Sequence, residues 1–269
     1  MRNRIIVGIL VIVLAGVIVL FAKNLAFNRT IKGQLRENAA DGLFLAEQMY
    51  KEGNWDKAKG LYEKVLFSQT DLKKAQEIKH RIEEINLKLL FSPVIDANST
   101  QYVVQKGDFI VKIAQKFNTT PELIKKANNL TSNIIRIGEK LKVTTLTFAI
   151  LVTKSGNQLF LKTGETLFKT YTVSTGKNNC SPVGKFKIIN KIYNPTWFKA
   201  GAAVPPNSPN NILGTRWMGI DVAGYGIHGT TEPEMLGQQA TAGCVRMRND
   251  EVEELFDIVP VGTEVTIVD

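Results

Sequence analysis

Apolar and polar positions change rhythm four times along the chain. Ile5 to Ala22 (IIVGILVIVLAGVIVLFA) is an unbroken apolar run of eighteen residues. As a helix it would measure roughly 27 Å, near the thickness of a bilayer core, so residues 5–22 are predicted to be a transmembrane or signal anchor. Arg2 and Arg4 precede it as they would in a cleaved signal peptide. The run is longer than such a peptide needs, and Leu20-Phe21-Ala22 makes a poor cleavage site, so retention is expected. From about 33 to 92 the period becomes helical, with Leu43, Ala46 and Tyr50, then Ala58, Tyr62 and Leu66 at three- and four-residue steps. Gly53-Asn54 breaks this pattern, a third helix is expected over Asp71 to Leu90, and Phe91-Ser92-Pro93 ends it. Residues 93–101 read as a linker.

A compact unit over 102–145 follows in the order strand, helix, helix, strand. Its second helix is opened by Thr120-Pro121-Glu122, with Thr120 suited to the N-cap and Pro121 to the first helical position. After Thr147 short alternating runs predict a β-meander: Phe148–Val152, Gln158–Leu161 and Leu167–Val173, separated by Ser155-Gly156-Asn157 and Thr163-Gly164-Glu165. Pro195 to Leu213 reads as a long loop and Asp250 to Ile258 as a helix. The expected fold is multi-domain: a transmembrane helix, an α-helical hairpin region, a small βααβ module and a β-rich, sandwich-like C-terminal domain over 147–269.

The net charge of +9 does not come from that last domain, where 11 Lys/Arg balance 11 Asp/Glu. No basic stripe interleaved with aromatics occurs there, so nucleic-acid binding is not expected. The excess in the N-terminal parts suits an anionic envelope matrix, and solvated surface charge accounts for it equally well.

The chain has two histidines and two cysteines. One of each falls in Gly226-Ile227-His228-Gly229-Thr230 and, sixteen positions on from the histidine, in Thr241-Ala242-Gly243-Cys244-Val245-Arg246-Met247. A thiol becomes a useful nucleophile when a neighbouring base draws off its proton. His80 sits far upstream in a Lys/Glu-rich helical stretch, which leaves His228 as the candidate base for Cys244. Gly243 suggests a tight turn that would point the N–H groups of Gly243 and Cys244 at an oxyanion. Arg246 has two readings, a bidentate anchor for a substrate carboxylate or a brace behind the cysteine loop. Asn249-Asp250 is expected to cap the next helix. Cys180 has no base near it in sequence and reads as an ordinary loop or strand-end residue. Pairing it with Cys244 would consume the nucleophile, so both are expected to be thiols.

From about Thr147 to Asp269 the chain resembles the L,D-transpeptidase (YkuD-type) catalytic domain. The resemblance lies in IHGT and TAGCVRM, supported in order by Ser174-Thr175-Gly176, Ser181-Pro182-Val183-Gly184-Lys185-Phe186 and Gly214-Thr215-Arg216-Trp217-Met218. Where many members carry a second histidine before the Gly-Cys pair, this chain has Ala242. The resemblance implies acyl transfer through a thioester on Cys244, with His228 as base and oriented by the main-chain carbonyl of Gly229, and with peptidoglycan stem peptides as substrates. A 3→3 cross-link would result with a stem amine as acceptor, an anchoring linkage with another amine, and trimming with water. An inactive, membrane-tethered wall-binding scaffold is the rival reading. Tyr102 to Val143 resembles a LysM domain, a binder of N-acetylglucosamine-containing glycans, through Tyr102-Val103-Val104, Lys106-Gly107-Asp108, Ala127-Asn128-Asn129-Leu130 and Ile137-Gly138-Glu139-Lys140-Leu141. Tyr50 to Leu66 resembles part of one tetratricopeptide repeat, a docking surface for a protein partner or a helical spacer. No metal or cofactor is implied. The expected location is the cell membrane, single-pass, with the bulk of the chain on the wall side. That orientation follows from the substrate, because Lys23, Arg29, Lys32 and Arg36 after the span outnumber Arg2 and Arg4 before it.

Overall fold

The computed structural model describes residues 40–199, 201–206 and 208–269, which form two compact units divided between Ile85 and Asn86. The apolar run at 5–22 lies outside the described residues. Among those described, no helix is long and apolar enough to cross a membrane.

The first unit is helical, as its period required. Helix α1 covers 40–51, α2 Trp55–Ser68 and α3 Leu72–Phe91. Gly53 breaks α1 from α2 at a φ of +78°, where a side chain would be strained. Asp71 starts α3 by accepting the N–H groups of Lys73 (2.9 Å) and Lys74 (3.2 Å) on its carboxylate. The three helices bury Ala46, Ala58, Tyr62, Val65, Ile78 and Ile85. Polar ties cross them: the Tyr62 hydroxyl bonds Glu47, that of Tyr50 bonds Glu84, and the Arg81 guanidinium lies over the Tyr50 ring.

The second unit begins inside α3, earlier than the linker at 93–101. The reason is apolar burial together with polar satisfaction. Leu90 belongs to the core of the C-terminal domain, with Leu87 and Phe91 packed against it, and Asn86 donates from Nδ2 to the Phe168 carbonyl at 2.9 Å. Lys142, itself buried, donates to the carbonyls of Leu89 and, at 2.9 Å, Ser92.

The βααβ module forms as expected, with β1 Ser99–Val103, α4 Ile110–Lys116, α5 Pro121–Ala127 and β2 Lys140–Thr144. Strands β1 and β2 pair antiparallel, and Thr120 caps α5 by accepting the Leu123 N–H at 2.9 Å. Val104, Ile110, Ile113, Ala114, Ile124, Leu141 and Val143 form its own small core. No pattern along the chain signals that this module is docked on the C-terminal domain. Leu123 enters the larger core, Lys126 pairs with Asp257 at 2.7 Å, and the Thr120 hydroxyl donates to the Asp257 carbonyl.

The C-terminal domain is built on one eight-stranded sheet. Its strands are β3 Phe148–Thr153, β4 Gln158–Thr163, β5 Thr166–Thr172, β7 Gly184–Tyr193, β10 Arg216–Ile220, β11 Gly226–His228, β13 Val245–Arg246 and β14 Glu264–Val268, in the order β13-β11-β10-β7-β14-β3-β4-β5. The expected sandwich is realised as one sheet that changes partner along β7. Gly184–Lys187 pair with β14, and Ile188–Tyr193 pair with β10. The alternation read from sequence is the pleat itself, with Phe148, Ile150 and Val152 facing the core. Helix α6, Asn249–Ile258, adds Val252, Leu255, Phe256 and Ile258 to that core. Two small pairs complete the domain: β6 Thr175–Gly176 with β12 Gln239–Thr241, and β8 Trp197–Lys199 with β9 Ala202–Val204. The second is a hairpin inside the Pro195–Leu213 segment expected to be loop. The Asn211 amide ties the segment's ends together through the Pro195 and Pro205 carbonyls.

Candidate active site

The two motif segments meet at one edge of the sheet. Strand β11 carries His228 between two neighbours: Trp217 of β10 is opposite it on one side, and Arg246 of β13, parallel, on the other. Cys244 stands two residues before Arg246, so the His228 and Cys244 segments lie on adjacent strands.

The imidazole is fixed on three counts. It is buried, it stacks on Trp217 with ring centroids 5.8 Å apart, and its Nδ1 lies 2.7 Å from the Gly229 carbonyl oxygen. A carbonyl can only accept, so Nδ1 carries the proton and Nε2 keeps its lone pair. Burial above all, opposed by the Gly229 bond and aided by the Arg246 charge, brings the His228 pKa down to about 4. The ring is therefore neutral at pH 7, and Nε2 is free to act as a base.

The Gly229 segment is held by Asn249, which sequence reasoning assigned to a helix cap. Its Oδ1 accepts from the N–H groups of Thr215 (3.2 Å) and Thr230 (3.1 Å), and its Nδ2 donates to the Thr230 carbonyl at 2.8 Å. The cap position is taken by Arg248 without a side-chain bond, and Arg248 pairs with Asp250 at 3.0 Å. Asn249→Ala leaves three part-buried backbone groups without these bonds. The expected cost is about 2–3 kcal/mol in a urea melt, with a fall in kcat as Gly229 loses its support.

The cysteine elbow is equally constrained. Gly243 has a φ of +126°, and a Cβ there would lie 2.5 Å from the Tyr225 ring, so both conformation and space require glycine. Its N–H donates to Thr241 Oγ1 at 3.1 Å, and the Thr241 hydroxyl donates to the Cys244 carbonyl at 2.7 Å. The Gly243 N–H, expected to face an oxyanion, is thus engaged within the elbow, and the Cys244 N–H remains the candidate donor. The thiol points at the Gly224 carbonyl, 3.6 Å away. Burial raises the Cys244 pKa, opposed by the Gly226 backbone bond and the Arg246 charge. The resting pair is therefore a neutral thiol and a neutral imidazole.

Arg246 is 6 % exposed, its Nη1 lies 2.7 Å from Glu232 Oε2, and its backbone exchanges both bonds with Ser174, at 2.8 and 2.9 Å. This environment favours the brace over the substrate anchor. Arg246→Ala is expected to cost about 2 kcal/mol, less than a fully buried pair because Glu232 is half exposed, visible as a lower denaturation midpoint. An unchanged midpoint would return Arg246 to substrate binding.

Cys180, expected to be an ordinary loop or strand-end residue, lies close to the elbow. A Cβ on Gly176 would lie 2.6 Å from its Sγ and 3.0 Å from Gly243 Cα, so the thiol borders the elbow. Both cysteines are free thiols. Ser181, Asn249, Thr241 and Glu232 were not picked out as supports. Ser181 and Thr241 carried a signal, their places in the SPVGKF and TAGCVRM runs.

A model of the L,D-transpeptidase catalytic domain matches residues 147–267, and one of the LysM domain matches 102–144. YqjB of Bacillus subtilis, named as an L,D-transpeptidase, is 40% identical over 126 residues, 45% of this chain and 70% of that protein. YkuD of Bacillus licheniformis, named likewise, is 33% identical over 174 residues, 62% of this chain and 97% of its own. The chain belongs to the L,D-transpeptidase family. YkuD of Bacillus subtilis aligns to the same extent, 31% identical over 173 residues and 97% of its length. The L,D-transpeptidase match contains the His228 and Cys244 segments and the eight strands of the large sheet except Val268, the last residue of β14. The tetratricopeptide-like segment and the apolar run lie outside both matched domains.

Proposed function

We propose that this L,D-transpeptidase acts on peptidoglycan by a cysteine mechanism. The carbonyl attacked joins the third residue of a stem peptide to D-alanine. As the Cys244 sulfur leaves the Gly224 carbonyl and bonds to that carbon, its proton passes to His228 Nε2, and the charge formed on oxygen faces the Cys244 N–H. The tetrahedral adduct then breaks its C–N bond, and D-alanine departs with the proton from His228. The resulting thioester is attacked by an amine whose proton returns through the same nitrogen, which releases Cys244 as the thiol. With the third-residue amine of a neighbouring stem the product is a 3→3 cross-link. Gly229 takes no part in bond making; its carbonyl sets the tautomer.

The observation that carries this reading is the Nδ1 bond to Gly229, which leaves a buried neutral ring with its basic nitrogen uncommitted beside the cysteine strand. The LysM domain would hold the glycan strand while the site works on the stems. The run at 5–22 would tether the enzyme to the membrane with its domains on the wall side, and the helical region would act as spacer or partner dock.

Incubating the full chain with a disaccharide-tetrapeptide and resolving the products by mass distinguishes the alternatives. Loss of D-alanine with a dimer bonded between third residues supports the proposal. Loss of D-alanine with only trimmed monomer assigns a carboxypeptidase, and no loss at all leaves a wall-binding scaffold.

A further inference from the structure

The cysteine elbow is gripped from outside its own motif. Ser181, 3 % exposed, accepts the Gly176 N–H on Oγ at 2.8 Å and donates its hydroxyl to the Gly243 carbonyl at 2.8 Å. That carbonyl belongs to the same planar unit as the Cys244 N–H. In a trans peptide the two point in opposite directions, and no cis peptide occurs among the described residues. Holding the oxygen on Ser181 therefore aims the N–H away from it, on the side where an oxyanion would form.

Ser181 is itself held by a lysine far away in sequence. Lys154, 3 % exposed just beyond the end of β3, donates from Nζ to the carbonyls of Ser181 and Asn179, each at 3.3 Å, and pairs with Asp269 at 2.7 Å. An ammonium has three donors, and a buried one is tolerated only when they are satisfied. Here the partners are two carbonyls of a single loop and one carboxylate. Asp269 also accepts from Asn179 Nδ2 at 2.9 Å, and the Asn179 N–H meets Gln239 Oε1 at 3.2 Å, at the start of the strand that leads into the elbow.

We propose that Lys154 is a positioning residue for the acyl transfer: held by Asp269, it fixes the 177–181 loop so that Ser181 clamps the Gly243 carbonyl and aims the Cys244 N–H at the oxyanion. The inference rests on Cys244 as the nucleophile. Lys154 never meets the substrate, and its effect falls on the step that builds negative charge on oxygen.

Two reactions of the same thiol separate these roles. Acylation by p-nitrophenyl acetate passes through a tetrahedral oxyanion, whereas alkylation by iodoacetamide does not. Both are measured on the full chain by peptide mass mapping, which resolves Cys244 from Cys180. Lys154→Met is expected to slow acylation of Cys244 about 10-fold and Ser181→Ala about 100-fold, as loss of aim and then of the clamp weakens one oxyanion donor. Alkylation should stay within about two-fold of wild type in both, because it draws no help from that donor. In the Ser181→Ala background, Lys154→Met should cost almost nothing more, since it acts through the residue already removed. Asp269→Asn, at a side chain 72 % exposed, should slow acylation about 3-fold and decides the matter if Lys154→Met does not fold. Equal slowing of both reactions, additive effects, or wild-type acylation in the variants would overturn the proposal alone. If the wild type accepts its acetyl group elsewhere than Cys244, the nucleophile assignment falls and this inference with it.

Discussion

Cys244→Ala is expected to abolish release of D-alanine from a tetrapeptide stem, by about four orders of magnitude or more, because the acyl intermediate is built on the Cys244 sulfur. The fold should survive. Removing one sulfur from a partly exposed side chain costs about 1 kcal/mol, a small part of the stability of a domain of this size. The measurement is D-alanine liberated by the full chain, read beside a urea melt of the same sample. A fall in activity with an unchanged melt assigns the loss to chemistry. Retained activity would point to Cys180, the other thiol at the elbow, and a Cys180→Ser variant of the same preparation would expose that.

Replacing the base gives the second large effect, and pH shows its origin. His228→Ala should slow acylation of Cys244 about 10²–10⁴-fold near neutrality. The wild-type rate needs Nε2 unprotonated. Because burial holds the His228 pKa down to about 4, the rate should be level from neutral pH down to about 5 and fall only through about 4, not through the ordinary histidine range. Without the imidazole only pre-formed thiolate can react. The Cys244 pKa is raised by burial, so at neutral pH that form is scarce, and the variant's rate should climb about tenfold per pH unit until the thiol titrates. Acylation by an activated ester reads both limbs without the acceptor amine. Parallel profiles for the two proteins would remove His228 from its role.

Much of this was legible in the sequence, for reasons that differ by level. The period of Ala46, Ala58 and Tyr62 announced helices, and the alternation of Phe148, Ile150 and Val152 announced a pleated strand, because burial imposes the repeat of the backbone on the side chains. Scarcity and motif order singled out Cys244 and His228. What stayed hidden is carried by polar residues whose partners are far away along the chain, a relation without a period. Ser181 reaches Gly243, Asn249 reaches Thr215 and Thr230, and Lys154 reaches Asp269. The docking of the LysM domain was hidden for the same reason, since Thr120 and Lys126 look like ordinary helix-end residues until Asp257 is beside them. The oxyanion expectation failed in one half because a glycine turn leaves two N–H groups to be aimed, and Thr241 takes that of Gly243.

The most direct measurement mixes the enzyme with a disaccharide-tetrapeptide, quenches it in acid within the first turnover, and maps the acyl group by mass after digestion. An adduct on the peptide bearing Cys244, heavier by the disaccharide-tripeptide acyl group and released by hydroxylamine as a thioester should be, is the predicted result. D-alanine set free with no adduct there, or with the acyl group on Cys180, would contradict it.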